Sequence, residues 1–326
     1  MRPIFKLAFF GLILGLVLLL PWVVPASQVS LLTAIFIWGL YALSFDLLFG
    51  YTGMLSLGHS VYFGLGAYGA ALSVKYLYLS WWAGLGIGFL LALLGALLIG
   101  FFAARVKSHG FIIVTAVTAL IAFLLAQRWN DLTGGDDGLS FSVAPIAIGS
   151  LEWAFSDQKV RYYFALSLLL VSLVFLWWLV RTPLGYAWKL IRENENRAEM
   201  MGYPVTQLKF VVFVIAGAFA GLAGATYALT NRFVWAGLFH WIISADGIIW
   251  TLFGGAGTLV GALLGTGALF GLKEWLSELW KSGYPLLVGL ALLIVIRFAP
   301  GGLLGLARAL WERRSLNDAL RDQKSH

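Results

Sequence analysis

The feature that most constrains this chain is a succession of long apolar stretches almost free of charge. Leu7 to Val24, Leu31 to Phe49, Val61 to Leu79, Trp81 to Ala104, Tyr162 to Val180 and Phe210 to Leu229 are of this kind, with a shorter one at Phe111 to Ala126. A bilayer core needs about 20 apolar residues per helix, and the stretches are close to that length. No water-soluble core could absorb them all. Hydrophobic residues make up 61% of the 326 and charged ones 11%, against about 25% charged in a soluble domain. The chain therefore reads as an all-α membrane protein. Its lack of cysteine excludes a disulfide framework, a zinc-thiolate site and a thiol nucleophile. The net charge of +7 becomes a question of which side of the bilayer the basic residues face, rather than a sign of nucleic acid.

Arg2 and Lys6 precede the first stretch and "VPAS" follows it, as around a signal peptide. The next apolar stretch comes within a few residues, so a retained helix is expected. Val234 to Leu272, at 39 residues, is too long for one crossing and is interrupted by "FGGAGT" at Phe253 to Thr258. Two short crossings are expected there and a last one at Tyr284 to Phe298, making about ten. With the N-terminus inside, 15 of the 22 basic residues fall on the inner side and 7 on the outer. The acidic loop of Asp131, Asp136, Asp137, Glu152 and Asp157 also falls outside. This satisfies the positive-inside bias and places both termini in the cytoplasm. The division is a polytopic domain over 1–305, with an external loop at about 128–160, and a basic cytoplasmic tail at 306–326. Trp81 and Trp82 would mark an outer boundary, Trp177 and Trp178 an inner one.

The second to fifth helices then start outside and the seventh to tenth inside, as in transporters built from inverted repeats. "SLGHSVYFGLGAYG" (Ser56 to Gly69) can be set over "SADGIIWTLFGGAG" (Ser244 to Gly257), with the serines, Gly66 with Gly254 and Gly69 with Gly257 in register. Matches this few also arise by chance in glycine-rich sequence. The repeat predicts two broken or re-entrant, polar-tipped elements facing each other near the midplane.

The segment "GYTGMLSLGHSVYFGLGAY" carries too many glycines for a straight helix, and suits a loop and short helix buried in protein. Ser56 and His59 are its polar tips; they line a permeation path or sit in a tight, satisfied helix contact. Gly257, Gly261 and Gly265, and separately Gly217 and Gly221, are small residues four apart that let helix backbones approach. Asp46 and Asp246 are the acids inside apolar stretches, where ionisable groups are costly and so are functional candidates. Each lies near a helix end, where it could reach water or cap a neighbouring helix. No serine has a placed base and orienting partner, and no GxxxxGK[ST] loop occurs, so neither catalysis nor a nucleotide site is expected.

The longest inner loop runs "TPLGYAWKLIRENENRAEMMGYPVTQLKF" from Thr182. Pro183 suits a helix start, and Gly202 with Pro204 a stop. Ala187, Leu190, Ile191, Asn194, Ala198 and Met201 follow helical spacing, so one amphipathic helix over about 183–202 is expected. Lys189, Arg192 and Arg197 balance Glu193, Glu195 and Glu199; this mixed face favours docking to a protein over an anionic lipid surface.

"GYTGMLSLGHSVYFGLGAYGAAL", "LTGGDDGLS", "IRENENRAEMMGYPVTQLKFVVFVIAGAFAGLAGATYA" and "LFGGAGTLVGALLG" occur in this order. Together they resemble the M-type permeases of bacterial branched-chain amino acid ABC importers, from about Leu31 to Gly305. The resemblance implies a plasma-membrane subunit that binds no cofactor itself. It also implies a second homologous permease, two ATPases carrying ATP and Mg, and an external binding protein. Glu195, Ala198 and Gly202, with Arg192 and Asn194 beside them, correspond to the loop that docks onto the ATPase. Relatives also carry urea or short amides, and often have asparagine where this chain has Asp46. A path for leucine-like substrates should be mostly apolar with a few polar groups; Ser56, His59, Thr115, Thr118, Ser244 and Asp246 are the candidates. The alternative from another class is an ion-coupled secondary transporter acting alone through Asp46 or Asp246.

Overall fold

The computed structural model describes residues 11, 15–148, 151–153, 155–279, 283–299, 301–307 and 309. The N-terminal Arg2 and Lys6 and most of the basic tail at 306–326 lie outside the described residues. A helical stretch at 15–23 is followed by α1 (Ala26–Thr52), α2 (His59–Tyr76), α3 (Trp81–Ala103), α4 (Ser108–Arg128) and the single turn α5 (Asn130–Thr133). Then come α6 (Gln158–Leu179), α7 (Pro183–Glu193), α8 (Glu195–Met200), α9 (Val205–Asn231), α10 (Trp241–Gly254), α11 (Val260–Leu279) and α12 (Tyr284–Phe298). Of the described helices, α1, α3, α4, α6 and α9 are long and apolar enough to cross a membrane, and α10 is a shorter apolar helix. The chain is a multi-pass helical membrane protein.

The helices overrun the apolar stretches at their polar ends, because a polar residue such as Gln158 or Asn231 can extend a helix into the interface. The expected break at "FGGAGT" is present: α10 ends at Gly254, and Gly255 and Gly257 have φ of 121° and 82°. Two small sheets involving the segment 128–160 were not anticipated. β1 (Leu139–Ser140) pairs antiparallel with β4 (Phe233–Val234), and β2 (Ile146–Ile148) with β3 (Leu151–Trp153).

Helices α2, α3 and α9 pack with close backbone approach. A Cβ on Gly66 would strike the Gly221 backbone, one on Gly221 the Ala92 methyl, and one on Gly224 the Phe63 carbonyl. Gly217 meets Ala96 and Tyr62. In lipid there is no hydrophobic drive between helices, so small residues that permit dense contact supply the cohesion. Gly261 and Gly265 do the same for α11, against Gly254 and Trp250 of α10. Gly257 does not belong to that stripe. It lies in the α10–α11 linker in the left-handed region, a conformation glycine adopts without steric cost.

Two units share one plan. The 27-residue α1 is followed by a loop that doubles back, so that α2 begins beside Ser44. Ser44 is about 12 Å from the end of α1 at 1.5 Å per residue. The 27-residue α9 is likewise followed by a returning segment, with a 3-10 turn at Ala236–Phe239, before α10. The start of α1 (Ser30, Thr33) and the end of α9 (Thr230, Asn231) line one cavity, while Gly50 at the other end of α1 meets Arg192, which precedes α9. The two long helices are therefore antiparallel. The sequence register was wrong, however. Ser56 lies in the loop before α2, whereas Ser244 lies in the first turn of α10, so the two serines are not equivalent. Of the tryptophans expected in boundary belts, Trp82, Trp177 and Trp178 are exposed near helix ends, whereas Trp81 is buried against Phe155 and Phe164.

Candidate functional site: a half-helix junction and an end-face linkage

At the junction, the N-termini of α2 and α10 meet and the two helices run apart. The Ser60 N–H donates to Ser244 Oγ at 2.9 Å, and Ser60 Oγ donates to the Phe239 carbonyl at 2.9 Å. His59 Nε2 lies 2.9 Å from Ser44 Oγ. Ser44 donates its only proton to the Tyr41 carbonyl at 2.7 Å, so His59 must be the donor through Nε2–H. His59 Nδ1 is left as a buried acceptor with no partner. The Tyr41 hydroxyl approaches Ser244 but forms no hydrogen bond of good geometry. All these side chains are fully buried. The expectation of two polar-tipped broken elements facing each other is met here, with Ser44, Ser60 and Tyr41 as members that the sequence did not single out.

The other path candidates are dispersed. Ser56 Oγ accepts from the Gly58 N–H, and Thr115 Oγ1 accepts from the Leu57 N–H at 3.2 Å. The first closes a turn within the 53–58 loop, and the second ties that loop to α4. Gly58 has no side-chain room because the Thr115 carbonyl lies over it. Thr118 returns its proton to the Val114 carbonyl, as threonines do within apolar helices. Asp246 lines a separate cavity with Trp250 and Lys273.

The second place is the end face near Gly50. Asp46 is fully buried. One carboxylate oxygen accepts from the Gly257 N–H at 2.6 Å and the other from the Leu259 N–H at 2.8 Å. These amides lie in the turn just before α11, where a negative charge also suits the helix dipole. Asp46 thus caps a neighbouring helix, the structural one of its two readings. One turn on, the Gly50 carbonyl accepts from Arg192 Nη1, a cation at the C-terminus of α1. A Cβ on Gly50 would strike Asp46 and the Gly257 amide, so only glycine lets α1 lie this close to the linker. Arg192, Gly50, Asp46 and the 257–259 turn form one unbroken linkage from α7 to α11.

The 183–202 segment is two helices rather than one. Asn194 is extended (φ −163°, ψ 104°) and its side chain accepts from the Arg197 N–H, which is what a good N-cap residue does. Ala198 is fully buried, and Glu195 pairs with the buried Lys209 at 3.0 Å. Trp188 Nε1 donates to the Leu208 carbonyl. The docking residues read from sequence therefore divide. Arg192, Asn194, Glu195 and Ala198 hold the pair of helices to the body, and Gly202 (φ 82°) forms an open turn with nothing packed over it. Met200 is 87% exposed and Met201 60%. Met201, placed on the buried face by helical spacing, points outward because the break at Asn194 rotates α8 relative to α7. Lys107, from the α3–α4 turn, lies 3.9 Å from Glu199.

Among the described residues no group of three or more His, Cys, Asp or Glu side chains could hold a metal ion. Known proteins give this geometry its context. The family profile described as "Branched-chain amino acid transport system / permease component" matches residues 27–297. The high-affinity branched-chain amino acid transport system permease protein LivM of Escherichia coli (strain K12) is 29% identical over 308 residues, covering 88% of this chain and 72% of that one. The LivH protein of the same transport system and organism is 22% identical, covering 82% and 91%. A probable LivM of Methanocaldococcus jannaschii is 25% identical, covering 85% and 94%. With the profile spanning most of the chain, from α1 to α12, this protein belongs to the branched-chain amino acid permease family and is an ABC transport permease, not an enzyme.

Proposed function

We propose that this chain is half of the membrane path of an ABC importer for branched-chain, hydrophobic amino acids in a bacterial inner membrane. A second homologous permease supplies the other half, an external binding protein delivers substrate, and two partner ATPases carry ATP and Mg. The chain crosses the membrane ten times with both termini cytoplasmic, so the Gly50 end faces the cytoplasm and the Thr133 end the exterior. The ATPases grip the exposed turn of Met200, Met201 and Gly202. Their movement reaches the gate through α7 and α8.

The observation that carries this reading is the linkage from α7 to α11. Because Arg192 holds the end of α1 and Asp46 holds the start of α11, a displacement of α7 moves both units together. The 255–257 glycines and the half-helix junction are where the path can part. His59 Nδ1 contributes to this: an unpartnered buried acceptor costs about 1–3 kcal/mol, so the closed junction is poised to open. Asp46 is a poor carrier for coupling ions, since both its oxygens are occupied by backbone amides.

The test is Arg192→Ala in the assembled transporter. ATP hydrolysis should continue while uptake falls at least tenfold, because motor and gate are disconnected. Uptake at the unmodified rate would remove Arg192 from the transmission route.

A further inference from the structure

A cavity of about 410 Å³ lies between α1, α9, α10 and α11, beside the half-helix junction. This volume is within the range of small-molecule sites. Its wall is aromatic: Trp38 and Trp250 meet edge to face with ring centroids 5.5 Å apart, and Trp250 is 5.7 Å from Phe270. Leu269 completes the apolar surface. Into this wall project two opposite charges, Asp246 from α10 and Lys273 from α11. Lys273 is close enough for its charge to act on the Asp246 carboxylate. Ionisable groups in apolar helices are expensive and mark substrate routes. The cavity wall adjoins the junction, because Trp38 stacks on Phe63 at 4.7 Å, one turn along α2 from His59.

We infer that this cavity is a binding site for one zwitterionic hydrophobic α-amino acid. Asp246 takes the ammonium group, Lys273 the carboxylate, and the Trp38, Trp250 and Phe270 wall the aliphatic side chain. The pairing of charges selects the ligand class. A lone carboxylate offers Asp246 no ammonium group, an amide offers Lys273 no carboxylate, and a polar amino acid leaves the aromatic wall bare. The permease therefore checks the substrate again after delivery and is not a passive hole. This assignment deepens the amino acid permease reading and rests on it.

The experiment measures binding of radiolabelled L-leucine to the full chain in nanodiscs, with unlabelled leucine, leucinamide and 4-methylpentanoate as competitors. Each analogue lacks one charge, so each should compete at least about tenfold less well than leucine; a tenfold change corresponds to 1.4 kcal/mol. Asp246→Asn should bring leucine down to the level of 4-methylpentanoate, and Lys273→Met down to the level of leucinamide. This crossed pattern is one that general misfolding cannot produce. The wild-type profile carries the test if either variant fails to fold. Equal competition by all three compounds, no leucine binding, or unchanged preference in both variants overturns the site. ATP-driven leucine uptake by the assembled transporter is measured in parallel. Uptake without selective binding refutes this site alone, whereas absence of uptake refutes the functional reading beneath it.

Discussion

Asp46 shows how an acid can sit in an apolar helix without carrying protons. Its carboxylate replaces the two hydrogen bonds that the Gly257 and Leu259 amides would otherwise lack. Asp46→Asn keeps one acceptor oxygen, so uptake should persist with a modest loss of thermal stability. Asp46→Leu leaves both amides unsatisfied at about 1–3 kcal/mol each, and both thermal unfolding temperature and uptake should drop sharply. If Asp46→Asn were as inactive as Asp46→Leu while unfolding at the wild-type temperature, a proton-carrying role would replace the structural one. The sequence marked Asp46 as costly, but its partners could not be read there. They are backbone groups more than 200 residues away, and no residue type announces them. His59 was visible for the same reason, while Ser44 and Ser60 looked like ordinary serines in an apolar run.

At the scale of single elements, helical periodicity located the docking segment but missed its internal break. Asn194 fits the apolar face by spacing, yet asparagine competes with helical backbone and prefers to cap, so two short helices form. The exposed turn then bears the prediction. Gly202→Glu or Met201→Glu should abolish uptake and ATPase association while leaving the permease inserted and folded, checked by co-purification. Full uptake with either change would move the docking surface elsewhere. Glu195→Arg acts differently: it places a cation against the buried Lys209, so it should lower thermal stability as well as uptake. For the packing stripes, Gly221→Val pushes against Ala92 and the Tyr62 carbonyl. It should reduce folded yield severely, whereas Gly271→Val, with nothing within 4 Å, should be tolerated. Small residues four apart were plain in the sequence. That Gly257 belongs to a linker was not, because its role depends on a positive φ that only the fold reveals.

For the whole molecule, the opposite course of α1 and α9 was readable from charge and crossing number, but the register between the segments that follow them was not. The aligned serine precedes the half-helix in the first unit and lies inside it in the second, so glycines aligned by composition fall several residues out of step. What matters mechanically is that α1 and α9 run antiparallel, each handing over to a half-helix that starts within the bundle. The α2–α3–α9 contact is dense and suited to move as a body, whereas at the junction two helix ends meet through hydrogen bonds set among aromatic rings. The most direct test reconstitutes the chain in liposomes, alone and then with its partner permease, ATPases and binding protein, and follows leucine uptake with and without ATP. The account predicts uptake only from the complete assembly with ATP. Accumulation by the chain alone, driven by an ion gradient, would contradict it.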